Sequence, residues 1–355
     1  MRYEKMPVRP IKIAINGLGR IGREIARRII TLDTRGLELI AINTIDPLEA
    51  SVFLLERDTL YGKFPIQASP LDGDLILNGR KIRMFHIEDP ALLPWKDLDI
   101  DLVIECAGIG QKAWGHLEAG AARVIVAGSI PNPDITVSMG VNHQEINPDM
   151  HRMICGASCT TAMIAPALKV LDNKFVVEKA MVTFVHSYTN DQALLDSCRA
   201  DFRRARSATQ NLIPTTTSAI HHLSEIFPHL KGKIDGTAIR VPTPIVHMAH
   251  LIVQLHGKID KKDLMDAMLE ASKGPMKDIL AINHAPLVSM DFKGESHSCI
   301  VDMGLSTTFK DMARILIWHD NEYGYCSRLL ELIEYVASLT VRGSKAGNGD
   351  TLDSP

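Results

Sequence analysis

The sequence contains no uncharged apolar stretch long enough to cross a membrane, so the pattern excludes a protein anchored by apolar spanning helices. Lys12 and Asn16 interrupt the apolar stretch near the N-terminus, and we therefore expect no secretory leader and a cytoplasmic chain. The formal net charge is only −3, which provides no electrostatic basis for binding nucleic acid or an acidic membrane surface.

Cysteine is scarce as well. Six cysteines among 355 residues do not form the dense framework of a disulfide-stapled protein. No Cys-x-x-Cys pair or His/Cys cluster has the spacing of metal ligands, so we expect no metal site. What remains is a chain long enough for two domains, with the 46% hydrophobic and 23% charged content of a globular protein.

The first half of the chain alternates between predicted strands and helices. A buried strand over 11–15 leads into the pattern GxGxxG and then into a helix, which is the context that a dinucleotide fingerprint requires. Gly17 permits the tight turn, Gly19 lets the backbone approach a pyrophosphate, and Gly22 lets helix and strand pack closely. The alternation continues over 11–155 and predicts an α/β domain with a doubly wound, mostly parallel Rossmann sheet.

The second half has a different pattern. Segments 234–255 and 286–303 are β-rich, which predicts an α+β domain with a mostly antiparallel sheet. Residues 188–212 are polar and lack a clear period, and we expect a long functional loop there, which we name the S-loop. The predicted organisation has three parts: a dinucleotide-binding domain over 1–158, completed by a C-terminal helix over 321–341; a catalytic domain over 159–320; and a disordered tail over 342–355.

One cysteine begins a predicted helix. Met153 and Ile154 end a buried strand, small residues follow, and Cys159 opens the helical pattern. Free N–H groups and the helix dipole favour negative charge at this position, so the thiol is a candidate nucleophile whose oxyanion intermediates the same N–H groups can hold. The residues alone fit equally well a buried cysteine that acts as a small hydrophobe.

Six motifs resemble the phosphorylating glyceraldehyde-3-phosphate dehydrogenase family, in order and over about residues 11–341. They are INGLGRIGR (15–23), GASCTT (156–161), HSYTNDQ (186–192), RRARSATQNLIPTTT (203–217), RVPTP (240–244) and DNEYGY (320–325). The resemblance implies that glyceraldehyde 3-phosphate is oxidised and phosphorylated to 1,3-bisphosphoglycerate, with hydride transfer to NAD or NADP. It also implies a homotetramer in which the S-loop lies at a subunit interface.

The resemblance gives each matching residue a role. Cys159 would attack the aldehyde, and His186 would lower the pKa of the thiol and accept the hydroxyl proton, leaving a thioester that inorganic phosphate displaces. The implied cofactor-binding residues are Gly17, Gly19, Arg20, Ile21, Gly22, Asn43, Thr44, Asn321 and Tyr325. The implied ligands of the substrate phosphate are Thr189, Asp191 and Arg240, and those of the attacking phosphate are Ser158, Thr160, Arg206, Thr217 and Ser218. Arg203 and Arg204 are interpreted instead as part of a solvated charge run that forms salt bridges between subunits.

Several positions depart from the common pattern of the family. Thr44 replaces the acid that would grip the adenosine ribose, and Ser197 and Cys198 replace a frequent Leu-Pro pair. Because an acid would repel the extra phosphate of NADP and small residues leave room for it, we expect NADP to be accepted. The segment 107–110 looks shortened, which alters the adenosine half of the site.

Two other functions remain open on the sequence alone. One is the sister enzyme erythrose-4-phosphate dehydrogenase, although Thr189 with Arg240 favours the three-carbon phosphate. The other is a dinucleotide-binding scaffold with weak catalysis, against which the Cys159–His186 pair argues. Five other histidines are interpreted as surface residues; they are His221, His222, His247, His250 and His256.

Overall fold

The computed structural model describes residues 9–32, 34 and 36–343. The described chain forms two compact units. The first contains the residues up to Ile135, Gln144–Gly156 and those from Leu329 on, and the second contains Thr136–His143 and Ala157–Arg328. The tail predicted over 342–355 lies outside the described residues from 344 on, whereas its first two residues still belong to a helix.

Helices and strands alternate along the first unit, and strands predominate in the second. In chain order, the helices are α1 (Arg20–Thr31), α2 (Leu48–Glu56), α3 (Gly115–Glu118), α4 (Cys159–Phe175), α5 (Ala219–Ile226), α6 (Lys261–Lys273) and α7 (Tyr323–Gly343). The strands are β1 (Ile11–Asn16), β2 (Leu37–Asn43), β3 (Arg57–Asp58), β4 (Gly62–Lys63), β5 (Ala68–Leu71), β6 (Asp74–Leu77), β7 (Arg80–Phe85), β8 (Leu102–Glu105), β9 (Arg123–Val126), β10 (Ile135–Thr136), β11 (Met153–Cys155), β12 (Val177–Ser187), β13 (Ile213–Thr215), β14 (Ile234–Val241), β15 (His247–Leu255), β16 (Leu280–Asn283), β17 (Cys299–Phe309) and β18 (Met312–His319).

The large sheet of the first unit has the order β10-β11-β9-β8-β1-β2-β7-β6-β5. Its centre, from β11 to β7, is parallel throughout, and the hairpin strands β5 and β6 pair antiparallel at one edge. All four residues of β8 and five of the six in β1 are buried, as expected for strands covered on both faces. The doubly wound parallel sheet predicted for this half is confirmed.

The sheet of the second unit has the order β13-β14-β12-β15-β18-β17-β16. Its pairs are antiparallel except for β12 with β14 and β16 with β17, so the prediction of a mostly antiparallel sheet is confirmed. Alternate residues of β15 are buried, and they share one core with apolar residues of α4, α5 and α6. The β-rich prediction over 286–303 is partly wrong, because strands cover only 280–283 and 299–309. A loop with a short 3-10 turn at Ser289–Phe292 lies between them.

Among the described helices, none is both long and apolar enough to pass through a lipid bilayer. Every residue of the S-loop is described, and it contains neither helix nor strand.

Candidate active site

The turn before α4 fixes the start of the helix. Ala157 has a φ of 54°, an uncommon conformation for a residue with a Cβ, and its carbonyl accepts a 3.0 Å hydrogen bond from the hydroxyl of Tyr325. Ser158 is the N-cap, and its Oγ accepts a hydrogen bond from the N–H of Thr161 at 3.3 Å. Cys159 is therefore the first helical residue, as the sequence predicts, and Tyr325 contributes by holding the turn.

Cys159 and His186 are brought together by this turn and by the end of β12. The Sγ of Cys159 lies 3.8 Å from Nε2 of His186. On the other side of the ring, Nδ1 lies 2.6 Å from the carbonyl oxygen of Ser187, a contact that requires Nδ1 to carry the proton. The lone pair of Nε2 therefore faces the sulfur, which is the orientation a general base needs.

Burial is the largest influence on the protonation of both groups. It raises the pKa of the Cys159 thiol to about 11, against the lowering effects of the Arg240 cation and of the backbone N–H groups of Cys159 and Thr160. It lowers the pKa of His186 to about 3, and here Arg240 acts in the same direction. The free chain therefore holds a thiol next to a neutral imidazole, because burial outweighs the negative charge that the helix N-terminus favours at this position.

A cationic cluster adjoins this pair. Arg240 lies opposite His186 in the parallel register of β12 and β14. Its Nη1 donates to the carbonyl of Ser187 at 3.1 Å and to Oγ1 of Thr189 at 2.8 Å, and Thr189 in turn donates to Asp191. Nε of Arg240 is buried and has no partner among the described residues. The predicted set Thr189, Asp191 and Arg240 is thus one hydrogen-bonded group.

The arginine that joins this group is Arg204 and not Arg206. Nη1 of Arg204 lies 2.7 Å from Asp191, its Nε donates to Oγ1 of Thr215 at 2.9 Å, and its side chain is only 25% exposed. The side chain of Arg206 is 62% exposed and pairs with the equally exposed Asp196. Arg204 is therefore partly buried and ion-paired within the chain, where the sequence predicted a solvated charge, and no described contact ties Arg206 to the site. The sequence RRAR carries no signal that distinguishes the two.

The other predicted ligands of the attacking phosphate lie on two segments. Oγ of Ser158 is 2.9 Å from the hydroxyl of Thr160, at the start of α4. Thr217 is half-buried and its hydroxyl accepts from the N–H of Ala219, while Ser218 is exposed at the start of α5. Arg204 approaches this second segment, since its Nη2 is 3.4 Å from the carbonyl of Thr216.

The glycines of the first unit fit the predicted dinucleotide turn. Gly17 has a φ of 90°, and a Cβ there would lie 2.6 Å from the backbone of Ala107. A Cβ on Gly22 would lie 2.0 Å from the carbonyl oxygen of Gly17, so helix and turn can pack only with glycine. A Cβ on Gly19 would meet nothing within 4 Å, and Gly19 caps α1 without a side-chain hydrogen bond. An open, uncapped helix N-terminus of this kind suits an anionic pyrophosphate.

Other predicted cofactor residues are already engaged by the protein. The guanidinium of Arg20 pairs with both carboxylate oxygens of Asp58 at 3.1 and 3.2 Å, and Ile21 is half-buried in the first turn of α1. Nδ2 of Asn43 donates to Oδ1 of Asn16 at 2.7 Å and to the carbonyl of Ile87 at 2.8 Å. Asn43 therefore positions neighbouring backbone, with little of its amide left for a ligand.

Thr44 and Asn321 are both buried and hydrogen-bonded. Oγ1 of Thr44 lies 3.3 Å from a carboxylate oxygen of Asp46 and accepts from the N–H of Asp46 at 3.2 Å. The carboxylate of Asp46 therefore lies next to Thr44, the position at which the family resemblance leads one to expect an acid. In the second unit, Oδ1 of Asn321 accepts from Oγ of Ser187 at 3.1 Å and from the N–H of Val246 at 3.0 Å, which fixes the direction of its amide group.

Two histidines predicted at the surface are in the core. His222 is 2% exposed, and its Nδ1 lies 3.2 Å from the hydroxyl of Thr161 in α4. His247 is 1% exposed, and its ring meets that of His186 edge-on with 4.3 Å between centroids. The signal that the prediction missed is the period of two in β15, which puts His247 on the face of Ala249 and Leu251.

Comparisons with known proteins cover nearly the whole chain. Two family models match: "Glyceraldehyde 3-phosphate dehydrogenase, NAD binding domain" over residues 11–113, and "Glyceraldehyde 3-phosphate dehydrogenase, C-terminal domain" over residues 158–321. Glyceraldehyde-3-phosphate dehydrogenase 2 of Bacillus subtilis is 40% identical over 333 residues, covering 92% of this chain and 97% of that protein. The chloroplastic glyceraldehyde-3-phosphate dehydrogenase GAPB of Arabidopsis thaliana is 40% identical over 353 residues, covering 98% of this chain and 79% of that protein.

Proposed function

Because this chain belongs to the glyceraldehyde-3-phosphate dehydrogenase family, we propose that it oxidises glyceraldehyde 3-phosphate and phosphorylates the product to 1,3-bisphosphoglycerate. The observation that carries the proposal is the 3.8 Å contact between Sγ of Cys159 and Nε2 of His186 at the start of α4. Arg240, bonded to Ser187 and Thr189 beside that contact, supplies the charge that a phosphorylated aldehyde requires.

The sulfur of Cys159 attacks the aldehyde carbon, and the S–H proton reaches the carbonyl oxygen to give a hemithioacetal. His186 then removes the hydroxyl proton through Nε2 as the C–H bond breaks, and a thioester remains on Cys159. A bound nicotinamide dinucleotide would take the hydride from that carbon. Inorganic phosphate displaces the sulfur, and the departing sulfur regains its proton from His186. The N–H groups at the start of α4 stabilise the oxyanions that form at the carbon.

Two phosphates have to be bound during this reaction, the phosphate of the aldehyde and the attacking inorganic phosphate. Arg240, Thr189 and Asp191 are the group closest to His186, and we assign them to the phosphate of the aldehyde. Arg204 lies between Asp191 and the 215–217 segment, which makes it the cation for the attacking phosphate. In this proposal the hydroxyls of four further residues bind the same phosphate: Ser158, Thr160, Thr217 and Ser218. Arg206 takes no part in this assignment.

The cofactor is NAD or NADP, and we propose more specifically that the enzyme accepts NADP. Thr44, Ser197 and Cys198 support it, because none is acidic and the latter two are small and exposed. Asp46 works against it, since its carboxylate is bonded to the hydroxyl of Thr44 and would repel a ribose phosphate. The kcat/KM values for the two cofactors decide the matter. Asp46→Asn is expected to raise the NADP/NAD ratio of kcat/KM, and a ratio unchanged by this substitution would exclude Asp46 as the discriminating residue.

A homotetramer in the cytoplasm is the remaining part of the proposal. The S-loop leaves large apolar side chains exposed, and a subunit interface would cover them; they are Leu194, Leu195, Phe202 and Leu212. All six cysteines are free, which suits a reducing compartment. Light scattering on the purified chain tests the assembly. A monomer at micromolar concentration would overturn the tetramer and leave the chemistry untouched.

The function is tested by rapid mixing of enzyme, cofactor and aldehyde without phosphate. We expect one equivalent of reduced cofactor per chain in a burst, followed by turnover when phosphate is added. Cys159→Ser should abolish both phases. Absence of a burst from the wild type would favour the binding scaffold, and a larger kcat/KM for erythrose 4-phosphate than for glyceraldehyde 3-phosphate would favour the sister enzyme.

A further inference from the structure

A buried histidine beside the catalytic pair lacks partners for its ring nitrogens. Among the residues that the structure describes, neither Nδ1 nor Nε2 of His247 has a hydrogen-bond partner. The residue is 1% exposed, so solvent does not compensate. Leaving a buried polar group unpaired is unfavourable, because the hydrogen bonds it made to water are not replaced. A neutral imidazole in such a place, facing a thiol and a second imidazole, has the donor atoms of a metal ligand.

Cys159, His186 and His247 bring three ligand atoms together, all within 4.8 Å of one another. In tetrahedral zinc sites the Zn–S and Zn–N bonds are about 2.3 Å and about 2.0–2.1 Å, which separates neighbouring ligand atoms by roughly 3.3–3.6 Å. Sγ of Cys159 and Nε2 of His186 are already 3.8 Å apart. Small rotations of the side chains are therefore enough to reach bonding distances. No sequence motif indicates this cluster, because the three residues are 27 and 61 positions apart.

We propose that Cys159, His186 and His247 form a reversible binding site for a thiophilic divalent metal ion, represented by zinc, and that the bound ion blocks the nucleophile. Binding converts the thiol to a metal-bound thiolate, and its proton leaves to solvent; no electron is transferred. Two neutral imidazole nitrogens are the other protein ligands, and a water molecule completes four-coordination. One cysteine with two histidines is a donor set that suits zinc and copper better than magnesium or calcium.

The surroundings explain why such a site would be reversible. His319 stacks on His247 with 5.2 Å between ring centroids and so restricts the rotation of that ligand. The guanidinium of Arg240 lies 3.1 Å from Nδ1 of His186, and its positive charge opposes a dication nearby. The thiolate and Asp191 offset that charge only in part. We therefore expect weaker binding than in a structural zinc site, and release of the ion by a chelator with recovery of the free thiol.

Metal binding itself is independent of the reaction, and only its effect on turnover rests on the proposed function. The experiment uses the full chain, reduced and freed of metal, titrated with Co²⁺ and then with Zn²⁺. The wild type should bind one ion per chain, with a thiolate-to-cobalt charge-transfer band that zinc removes. Zinc should also protect Cys159 from alkylation by iodoacetamide, a readout that needs neither aldehyde nor cofactor.

His247→Asn is the decisive variant, and His250→Asn is its matched control, three residues along the same strand on the opposite face. We expect His247→Asn to weaken zinc binding at least tenfold and to remove the protection of Cys159, while His250→Asn behaves as wild type. Cys159→Ser should lose the charge-transfer band. Unaltered zinc affinity in His247→Asn, or a band that survives in Cys159→Ser, overturns the proposal.

Circular dichroism and the melting temperature identify a variant that has not folded. If His247→Asn fails this check, His247→Gln takes its place and the same outcomes apply. A chain that binds cobalt as described but shows no burst of reduced cofactor would overturn the proposed function and leave the metal site standing. A chain that shows the burst but no cobalt charge-transfer band would overturn the metal site and leave the proposed function standing.

Discussion

The paired substitutions Arg204→Ala and Arg206→Ala distinguish the proposed ligand of the attacking phosphate from a surface charge two residues away. Arg204 is bonded to Asp191 at 2.7 Å and to Thr215 at 2.9 Å, whereas the guanidinium of Arg206 pairs with the exposed Asp196. A charge-assisted hydrogen bond is worth about 1.5–3 kcal/mol. An exposed ion pair contributes about 0–1 kcal/mol. The two arginines are thus expected to differ clearly in effect.

Converted to affinity, the loss of one such bond to phosphate corresponds to about a 10- to 150-fold increase in KM for inorganic phosphate. Arg204→Ala should show this increase, with a much smaller change in KM for the aldehyde, because the proposed ligand of the aldehyde's phosphate, Arg240, is still present. Arg206→Ala should leave both constants within about threefold of the wild type. The assay is the initial rate of cofactor reduction over a range of phosphate concentrations, with aldehyde and cofactor saturating.

Two results would refute this reasoning. If Arg206→Ala raised KM for phosphate as much as Arg204→Ala, then the hydrogen bonds of Arg204 within the chain would not identify the arginine that binds phosphate. If Arg204→Ala lowered the phosphate-independent burst as strongly as the steady-state rate, Arg204 would act before the thioester is formed. Melting temperatures of both variants are the control, since removing Arg204 also leaves Asp191 with one partner fewer.

Three further predictions follow from the same geometry. Gly22→Ala, whose Cβ would lie 2.0 Å from a carbonyl oxygen, should lower the melting temperature and abolish dinucleotide binding. Gly19→Ala has open space around its Cβ, so it should weaken dinucleotide binding and keep the melting temperature; fluorescence titration and calorimetry measure the two effects. Burial lowers the pKa of His222 to about 4, so between about pH 6.5 and 4 the unfolded chain binds a proton that the folded chain does not, and the free energy of unfolding falls by roughly 3 kcal/mol for this group as the pH drops. His222→Gln should flatten that part of the profile of unfolding free energy against pH, and His250→Gln should not. Arg240→Met should slow the alkylation of Cys159 by iodoacetamide at pH 7–8, because the cation lowers the pKa of the thiol, and an unchanged rate would contradict that role.

Local patterns predicted the fold well wherever periodicity and turn chemistry agree. The strand predicted over 11–15 is β1 (Ile11–Asn16), and the predicted helix begins at Cys159. The prediction failed over 286–298, where apolar residues occur without a partner strand to pair with. Strand formation depends on neighbours that sequence periodicity does not reveal.

Only those features of the site that are encoded by contiguous residues could be predicted from the sequence. The sequence indicates that Cys159 begins a helix, because the small residues before it and the apolar period after it are contiguous in the chain. The protonation of its sulfur was not predictable, since burial comes from distant segments and raises the pKa against the helix terminus. The choice between Arg204 and Arg206 likewise depends on where Asp191 and Asp196 lie in the folded S-loop.

Sheet register explains why these distant residues converge. The parallel pairing of β12 with β14 puts His186 opposite Arg240, and the antiparallel pairing of β15 with β18 puts His247 opposite His319. Each pair stands at the end of its strands, so the imidazole that faces Cys159 has a guanidinium on one side and a second imidazole on the other. A slip of one residue in either register would turn these side chains to the opposite face of the sheet. The chemistry of Cys159 therefore depends on the same strand pairing that builds the core of the second unit.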